Sequence, residues 1–275
     1  MEAYTDFASV YDTFMDNTTY AEWAGYILSL LEQYGAASFD GIEAEHGKGT
    51  EIGTEDALAA ERNVIVDLGC GTGTLTELLA DAGYDMIGID SSQEMLSIAL
   101  EKRERSGRDI LYLQQDMREL ELYGTAGAMV SVCDSLNYLL EEEDIVETFR
   151  LVNNYLYPKG IFVFDFNTVY KYETVIGDAT IAENREDCSF IWENFYDKEA
   201  QVNEYDLTVF VRAEGEDRFR RFTETHFQRG YTLEQMKAFV RKAGLAFVAA
   251  VDADTHGEVC KESGRICMVV RECGK

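Results

Sequence analysis

Residues 64–73, with the sequence VIVDLGCGTG, are the stretch that decides the fold of this chain. The apolar start predicts a buried strand, and the alternating glycines predict a tight turn. Leu75, Leu78 and Leu79 follow at the spacing of an amphipathic helix. Glycines let the backbone turn sharply and let a ligand approach it, and the start of a helix offers free N–H groups. The stretch therefore predicts a strand, a turn and a helix that together bind a ligand.

Three pairs of residues mark the starts of predicted helices. In each pair a Ser or Thr is followed three residues later by a Glu or Gln, which is the spacing of a capping box. The pairs are Thr74 with Glu77, Ser91 with Glu94, and Thr232 with Gln235. These positions predict one helix after each of the first two strands and one helix in the C-terminal part of the chain.

The glycine turn differs from the dinucleotide fingerprint G-x-G-x-x-G/A. A fingerprint that starts at Gly69 needs Gly or Ala at position 74, where this chain has Thr74. Asp67, just before the glycines, would repel a pyrophosphate but suits a ligand with a cationic end. S-adenosylmethionine carries an amino group and a sulfonium and has no phosphate. The turn therefore favours S-adenosylmethionine over a dinucleotide.

A second buried strand is predicted at residues 86–90, and it ends in Asp90. An acid at the tip of the second strand accepts hydrogen bonds from ribose hydroxyls. Because NAD and S-adenosylmethionine both carry ribose, Asp90 predicts a nucleoside but does not distinguish the two cofactors.

These two stretches resemble those of a class I S-adenosylmethionine-dependent methyltransferase. The resemblance rests on residues 67–73 and on residues 88–96, GIDSSQEML. The aromatic residues of positions 4–23 are similar to those of a small-molecule subgroup that includes amino-sugar N-methyltransferases and related uncharacterised bacterial methyltransferases. The resemblance implies an α/β fold, with a Rossmann-like seven-stranded sheet whose last strand is antiparallel. It implies S-adenosyl-L-methionine as cofactor and S-adenosyl-L-homocysteine as product.

The resemblance also implies where the cofactor lies. Asp116 and Met117 would hold the adenine, and the loop at 133–138 would border the methionine moiety and the methyl acceptor. Tyr11 is expected close to the sulfonium, since aromatic faces attract cations. The predicted cofactor-binding residues are Tyr11, Trp23, Asp67, Gly69, Cys70, Gly71, Thr72, Gly73, Asp90, Ser91, Met95, Gln115, Asp116, Met117, Cys133 and Asp134.

The acceptor site is predicted at the carboxyl ends of the central strands, where open α/β sheets bind ligands. The predicted substrate-binding residues are Asn137, Tyr138, Asp165, Asn167 and Trp192. An amine of modest pKa would need no strong base, whereas a hydroxyl acceptor would need one. Tyr11, Asp134 and His226 remain open as that base.

The chain is expected to divide into four parts. They are a helical, aromatic N-terminal lid (1–34), an acidic loop (35–61), the cofactor-binding core (62–184 and 229–275) and an inserted antiparallel lobe (185–228). Alternating polar and apolar residues predict three strands in this lobe, at 188–196, 203–211 and 218–228. We expect the lobe to cover the acceptor pocket, with Trp192, Tyr205, Arg221 and His226 as the residues that face it.

Bulk composition restricts the class of partner. The formal net charge is −28, from 52 acids and 24 bases. This charge argues against nucleic acid, whose phosphates need basic side chains, and against an anionic membrane surface. Six cysteines and three histidines lack the spacing of a metal site, so we expect no metal and free thiols in a reducing cytoplasm. We expect a monomer or a homodimer that acts on a small molecule.

The sequence thus predicts methyl transfer to a small-molecule acceptor, with an amine favoured over a hydroxyl. A sulfonium is already an activated leaving group, so the enzyme has mainly to align the reactants and exclude water. Two alternatives stay open at this point. One is a nucleotide-dependent oxidoreductase, and the other is a non-catalytic protein that binds S-adenosylmethionine.

Overall fold

The computed structural model describes residues 7–15, 19–35, 61–213, 215 and 217–275. Almost all of the acidic loop predicted at 35–61, and the first six residues of the predicted lid, lie outside these ranges. The helices are α1 (Ala8–Phe14), α2 (Tyr20–Tyr34), α3 (Thr74–Asp81), α4 (Gln93–Ser106), α5 (Glu142–Tyr155) and α6 (Leu233–Lys242). The strands are β1 (Val64–Leu68), β2 (Asp85–Asp90), β3 (Ile110–Gln114), β4 (Ala126–Ser131), β5 (Leu156–Asn167), β6 (Thr180–Asn184), β7 (Cys188–Asp197), β8 (Val202–Arg212), β9 (Phe219–Arg229), β10 (Ala246–Asp252) and β11 (Arg265–Arg271).

Seven strands form the main sheet, in the order β10-β11-β5-β4-β1-β2-β3. Strands β1 to β5 pair in parallel, and β11 pairs antiparallel with both β5 and β10. This arrangement confirms the predicted α/β fold, including the antiparallel last strand. Since parallel strands end at the same edge, the loops after β1, β2, β3 and β4 meet there.

Helices cover both faces of the main sheet, as a parallel sheet requires. On one face, Phe149 of α5 and Phe239 of α6 pack with apolar side chains of β4, β5 and β11. On the other face, Ile27 of α2 and Leu79 of α3 pack with side chains of β1, β4 and β5. The six residues of β4 are all buried because this strand lies at the centre of the sheet. Among the helices of the described residues, none combines the length and apolar character that a membrane crossing requires.

A second sheet is inserted between β5 and α6, with the antiparallel order β6-β7-β8-β9. It contains the three predicted strands, and it adds β6, which the sequence analysis missed. Most of β6 is exposed, so the strand carries no alternation of polar and apolar residues. One face of this sheet, the inner face, packs against α1, where Val10 contacts a cluster that includes Leu207 and Val209.

The helix starts correct two details of the sequence analysis. The capping box of Thr232 and Gln235 is confirmed at α6. At α4 the capping residue is Ser92, one residue later than predicted, and its hydroxyl accepts the Met95 N–H. Helix α3 starts after Gly73 without a side-chain cap, so the predicted box of Thr74 and Glu77 is wrong. The Thr74 hydroxyl instead accepts a hydrogen bond from Lys102 at 2.6 Å.

Candidate active site

A cavity of about 620 Å³ opens at the carboxyl ends of β1 to β4. Its wall brings together most of the predicted cofactor residues: Tyr11, Asp67, Gly69, Cys70, Gly71, Thr72, Asp90, Ser91, Met95, Gln115, Asp116, Met117 and Cys133. Gly73, Trp23 and Asp134 stand outside the wall. Of the predicted substrate residues, Tyr138 lines the cavity, and Tyr20 lines it as well although the sequence analysis gave it no role.

The glycine turn brings the backbone close to the cavity. Gly69, Gly71 and Gly73 have φ of +74°, +55° and +75°, in the left-handed region that favours glycine. A Cβ at Gly71 would meet no atom within 4 Å, so open space lies directly beside this backbone. A Cβ at Gly69 would come within 2.6 Å of the Ser135 hydroxyl. The missing Cβ at Gly71 therefore leaves room for a ligand, and the missing Cβ at Gly69 leaves room for the loop after β4.

Asp90 lines the cavity, and its carboxylate also stabilises the glycine turn through hydrogen bonds. Its Oδ2 accepts the Gly71 N–H and its Oδ1 accepts the Ser92 N–H, each at 2.8 Å. Burial raises the pKa of Asp90, and these hydrogen bonds to the carboxylate oppose the rise. The side chain is therefore held by backbone groups of two different loops.

Asp67 is almost fully buried at the base of the turn, with 2% of its surface exposed. Its Oδ2 accepts a hydrogen bond from the Thr76 hydroxyl at 2.7 Å. Burial, with a smaller contribution from the negative charge of Asp90, raises the pKa of Asp67 to about 7. A cationic group placed here would stabilise the ionised form of this carboxyl.

Basic side chains are scarce in the cavity. Arg118 is the one cationic side chain among the described residues of the wall. It pairs with Asp116 at 2.6 Å and with Asp144 at 3.2 Å. The bonds from Arg118 lower the pKa of Asp116. The cavity thus offers carboxylates and backbone to a ligand, without a spare cation for a pyrophosphate.

The N-terminal segment is fixed to the glycine turn through Asp12. Its carboxylate pairs with Lys102 at 2.7 Å and accepts a hydrogen bond from the Thr72 hydroxyl at 2.6 Å. These contacts hold α1 over the turn and bring Tyr11 into the cavity wall. The sequence analysis quoted the aromatic residues of this segment and gave no role to Asp12 or Lys102.

A buried ion pair supports the loop after β4 from behind. Asp165 is fully buried and pairs with Arg265 at the start of β11. The same carboxylate accepts the N–H groups of Cys133, at 3.1 Å, and Asp134, at 2.8 Å. Both residues have positive φ, at +60° and +55°. The Arg265 guanidinium also lies 4.5 Å from the centre of the Trp23 ring, so Trp23 packs on this network.

Asn137 and Asn167 form a brace between the loop after β4 and strand β5. The Asn137 amide donates to the carbonyls of Asn167, at 2.9 Å, and Arg229, at 2.7 Å, and its oxygen accepts the Asn167 N–H at 2.8 Å. The Asn167 side chain bonds to Lys171 at 2.9 Å and to Tyr172 at 3.0 Å. Together with Asp165, both asparagines were predicted to bind substrate. The two asparagine side chains instead bond to protein groups outside the cavity wall, and Asp165 bonds to Arg265 and to the backbone of Cys133 and Asp134.

Tyr138 connects the cavity to the second sheet. Its hydroxyl lies 2.8 Å from the Tyr205 hydroxyl and 3.1 Å from His226 Nδ1. Trp192 packs beside Tyr205 with ring centres 5.2 Å apart. His226, Tyr205 and Trp192 therefore reach the cavity through Tyr138, although none of the three lines it.

The structure corrects which residues of β9 lie on the side of the sheet that was expected to cover the acceptor pocket. Arg221 is exposed and pairs with Phe210, in alternation with the buried residues of the strand, so it faces away from the cavity. Glu224 is buried two residues before His226, and its Oε2 lies 3.3 Å from His226 Nε2. The period of two along a strand places Glu224 on the face of His226, and that signal was available in the sequence.

Comparison with known proteins now identifies the family. A family model described as a methyltransferase domain matches residues 65–160. YqeM of Bacillus subtilis (strain 168), which is named as a methyltransferase, is 35% identical over 264 residues, covering 96% of this chain and 94% of YqeM. The chain belongs to the class I S-adenosylmethionine-dependent methyltransferases. This membership rejects the alternative of a nucleotide-dependent oxidoreductase.

Solved structures of methyltransferases share the fold of this chain. A S-adenosylmethionine-dependent methyltransferase from Clostridium acetobutylicum superposes with a TM-score of 0.80 and 26% identity, over 99% of this chain and 100% of that one. The sugar N-methyltransferase KedS8 from Streptoalloteichus sp shares the fold, with a TM-score of 0.69 and 16% identity, over 98% and 96% of the two chains. The cypemycin N-terminal methyltransferase from Streptomyces sp is 27% identical over 212 residues, covering 76% of this chain and 82% of that protein.

The methyltransferase uses S-adenosylmethionine as its cofactor, and the residues of the cavity fit that molecule. The open space beside Gly71 admits a ligand against the backbone. The buried carboxyl of Asp67 suits a cationic amino group, and the half-buried carboxyl of Asp90 suits a ribose diol. The described part of the chain contains no cluster of three or more His, Cys, Asp or Glu side chains that could hold a metal ion.

Proposed function

We propose that this methyltransferase transfers the methyl group of S-adenosylmethionine to the nitrogen of a small-molecule amine. The observation that carries the proposal is the chemistry of the cavity wall beside Tyr11. Tyr20, Cys133 and Tyr138 line the cavity, while histidine and lysine are absent from the wall as far as the described residues go. Burial raises the pKa of Tyr20, and it raises the pKa of Cys133 to about 12. Neither group is a base at neutral pH that could ionise an alcohol.

An amine needs less help than an alcohol because its own lone pair attacks the methyl group. The net charge of −28 also attracts a cationic acceptor towards the protein. Two relatives support this choice by their names, since cypemycin N-terminal methyltransferase and sugar N-methyltransferase KedS8 both act on nitrogen.

The roles of the cofactor residues follow from their places in the cavity. Asp67 would face the amino group of the methionine moiety, and Asp90 would accept hydrogen bonds from the ribose. Asp116 and Met117, in the loop after β3, would border the adenine. Tyr11 would present its ring to the sulfonium, as aromatic rings do to cations.

Catalysis in this proposal is mainly alignment. S-adenosylmethionine supplies an activated methyl group on its sulfonium. Tyr11 and Tyr20 close the cavity from the N-terminal helices, and they exclude water from the reacting atoms. Asp165 holds the loop of Cys133 and Asp134 in one conformation, which fixes the direction of approach of the acceptor.

The cofactor is tested by calorimetric titration with S-adenosylmethionine, S-adenosylhomocysteine and NAD in parallel. The first two are expected to bind and NAD is not. The acceptor is then tested by mass spectrometry on amines, including amino sugars and peptide N-termini, with the matching hydroxyl compounds as controls. Methylation of the hydroxyl compounds alone would reject the amine. Binding without turnover on any compound would favour a non-catalytic binding protein.

The affinity for S-adenosylhomocysteine, which keeps the amino group of the cofactor, is expected to depend on pH through Asp67. The pKa of Asp67 is about 7 in the folded protein, and its carboxylate form attracts the ligand's ammonium. Affinity should therefore rise from about pH 6 to pH 7.5, a range in which the ligand's own amino group stays protonated. Titration calorimetry measures the trend. Asp67→Asn should bind weakly with little pH dependence, and a rise of equal size in that variant would exclude Asp67 as its source.

The same pKa has the opposite effect on the stability of the ligand-free protein. Because burial raises the pKa of Asp67 from 3.8 to about 7, the folded state favours the protonated carboxyl. The contribution of Asp67 to the free energy of unfolding is therefore complete at low pH. It is lost progressively as the pH rises from the unfolded to the folded pKa. Comparing wild type with Asp67→Asn in urea at several pH values isolates this contribution.

A further inference from the structure

A second, smaller pocket of about 250 Å³ lies at the edge of the main sheet opposite the cofactor cavity. Strands β1 and β5 begin at this edge, and β11 ends there because it runs antiparallel to β5. Among the described residues, those that line the pocket are Gly35, Arg62, Tyr157, Pro158, Lys159 and Arg271. Three of these six side chains are cationic and none is acidic, although the chain has 52 acids and 24 bases. The pocket is therefore a local concentration of positive charge on an acidic protein.

The three cations of this pocket form no ion pair with any acid of the described ranges. The acids next to them in the chain bond elsewhere. The buried Glu272 carboxylate accepts the backbone N–H groups of Lys159 and Lys275, each at 2.8 Å. Glu61 accepts a hydrogen bond from the Thr125 hydroxyl. The positive charge of the pocket is thus not neutralised by the part of the protein that the structure describes.

Protein contacts hold both arginines at the pocket without using all of their donors. The Arg62 guanidinium lies 5.1 Å from the centre of the Tyr157 ring and donates to the Tyr157 hydroxyl at 3.3 Å. Arg271 is half-buried and donates to the Tyr34 carbonyl, at the end of α2, at 2.9 Å. Because a guanidinium has several N–H donors in a fixed plane, each arginine keeps donors for a ligand.

Lys159 is held at the pocket by an unusual backbone conformation. Its φ is +68°, in the left-handed region that favours glycine. The buried Glu272 carboxylate fixes this conformation by accepting the Lys159 N–H. Strained residues persist only where the surrounding structure supports them, and they cluster at binding sites. The turn places Lys159, which is exposed, on the same wall as the two arginines.

We propose that this pocket binds a phosphate group. Two guanidinium planes and one ammonium match the several oxygens and the negative charge of a phosphate. Three like charges around one small pocket repel each other, and a bound dianion offsets that repulsion. The Tyr157 hydroxyl accepts from Arg62 and has its own hydrogen to donate to the same ligand. This chemistry is shared by inorganic phosphate and by the phosphate ester of a small molecule, and the inference does not depend on the identity of the methyl acceptor.

Titration calorimetry of the full chain with inorganic phosphate, at low ionic strength, tests the proposal. We expect the same affinity when the protein is saturated with S-adenosylhomocysteine, because the pocket and the cofactor cavity lie at opposite edges of the sheet. Glucose 6-phosphate is titrated in parallel. Tighter binding of glucose 6-phosphate would identify a site for an ester, and tighter binding of phosphate a site for the free ion. Absence of binding for both probes would overturn the proposal, as would their displacement by S-adenosylhomocysteine.

Variants locate the binding in the pocket. Arg62→Gln combined with Arg271→Gln should lower the affinity for phosphate about tenfold or more, since charge-assisted hydrogen bonds are lost. Lys159→Gln, which leaves the contacts of both arginines intact, should also lower it and tests the pocket if the double variant does not fold. The control is Arg105→Gln combined with Lys261→Gln, two exposed positions outside the pocket with the same change in net charge.

The control pair should bind phosphate like wild type, and every variant should bind S-adenosylhomocysteine with unchanged affinity. An equal loss of phosphate binding in the control pair would mean that the effect follows net charge, and it would reject the pocket. Unchanged phosphate binding in the pocket variants would reject it as well.

Discussion

Replacing Asp165 with alanine is expected to lower the free energy of unfolding by about 3–5 kcal/mol. The carboxylate is fully buried and pairs with Arg265, so its removal leaves a guanidinium in the interior without its paired carboxylate. The N–H groups of Cys133 and Asp134 lose their acceptor in the same step. Those residues have positive φ, and the strained loop conformation depends on such support.

Urea denaturation of the purified variant measures this loss. Asp165→Leu combined with Arg265→Met is the matched control, because it removes both charges and fills the space with apolar groups. The double variant should be more stable than Asp165→Ala. Glu147→Ala, which removes an exposed ion pair with Arg150, should change stability little. A loss in Asp165→Ala no larger than in Glu147→Ala would mean that water reaches Arg265.

Replacing Asp90 with alanine is expected to weaken the binding of S-adenosylhomocysteine at least tenfold. A ribose placed at this end of the cavity would lose its carboxylate acceptor. The Gly71 and Ser92 N–H groups would lose theirs as well, since the carboxylate holds both at 2.8 Å. The glycine turn would then be free to leave the conformation that admits the ligand.

Titration calorimetry with S-adenosylhomocysteine measures the change in affinity. Asp90→Asn separates the two contributions, because an amide keeps one oxygen for the backbone and loses the charge. Its affinity should fall between those of wild type and Asp90→Ala. Asp85→Asn, at the exposed opposite end of the same strand, is the control and should bind normally. Normal binding by Asp90→Ala would place the ribose elsewhere in the cavity.

Sequence reasoning was most successful where the determining contacts are local. The strand, glycine turn and helix at residues 64–81 were predicted because the signals, an apolar run and then glycines, act on neighbouring residues. The three long strands of the second sheet were predicted from their alternation, whereas β6 was missed because it has no buried face.

The polar residues at the strand ends show what local patterns leave undetermined. Asn137, Asp165 and Asn167 were all predicted to bind substrate because they follow buried strands. A polar side chain in that position either faces a ligand or bonds to the protein behind it, and its partners decide which. Here the partners are Arg265 for the acid and backbone carbonyls for Asn137. Those groups are distant in the chain, so no local pattern reveals them.

The sequence by itself determined the buried strands, the glycine turn and the two acids that indicate the cofactor, because periodicity and backbone freedom are properties of short segments. The order of the sheet and its antiparallel last strand were implied by the resemblance to class I methyltransferases. Only the tertiary structure decided which buried polar groups meet, since Asp165 meets Arg265 across 100 residues and Tyr138 meets His226 across 88. Burial makes such pairing obligatory but leaves the choice of partner open. The pairing of β5 with β11 selected Arg265 for Asp165, and the packing of the second sheet against the loop after β4 selected His226 for Tyr138.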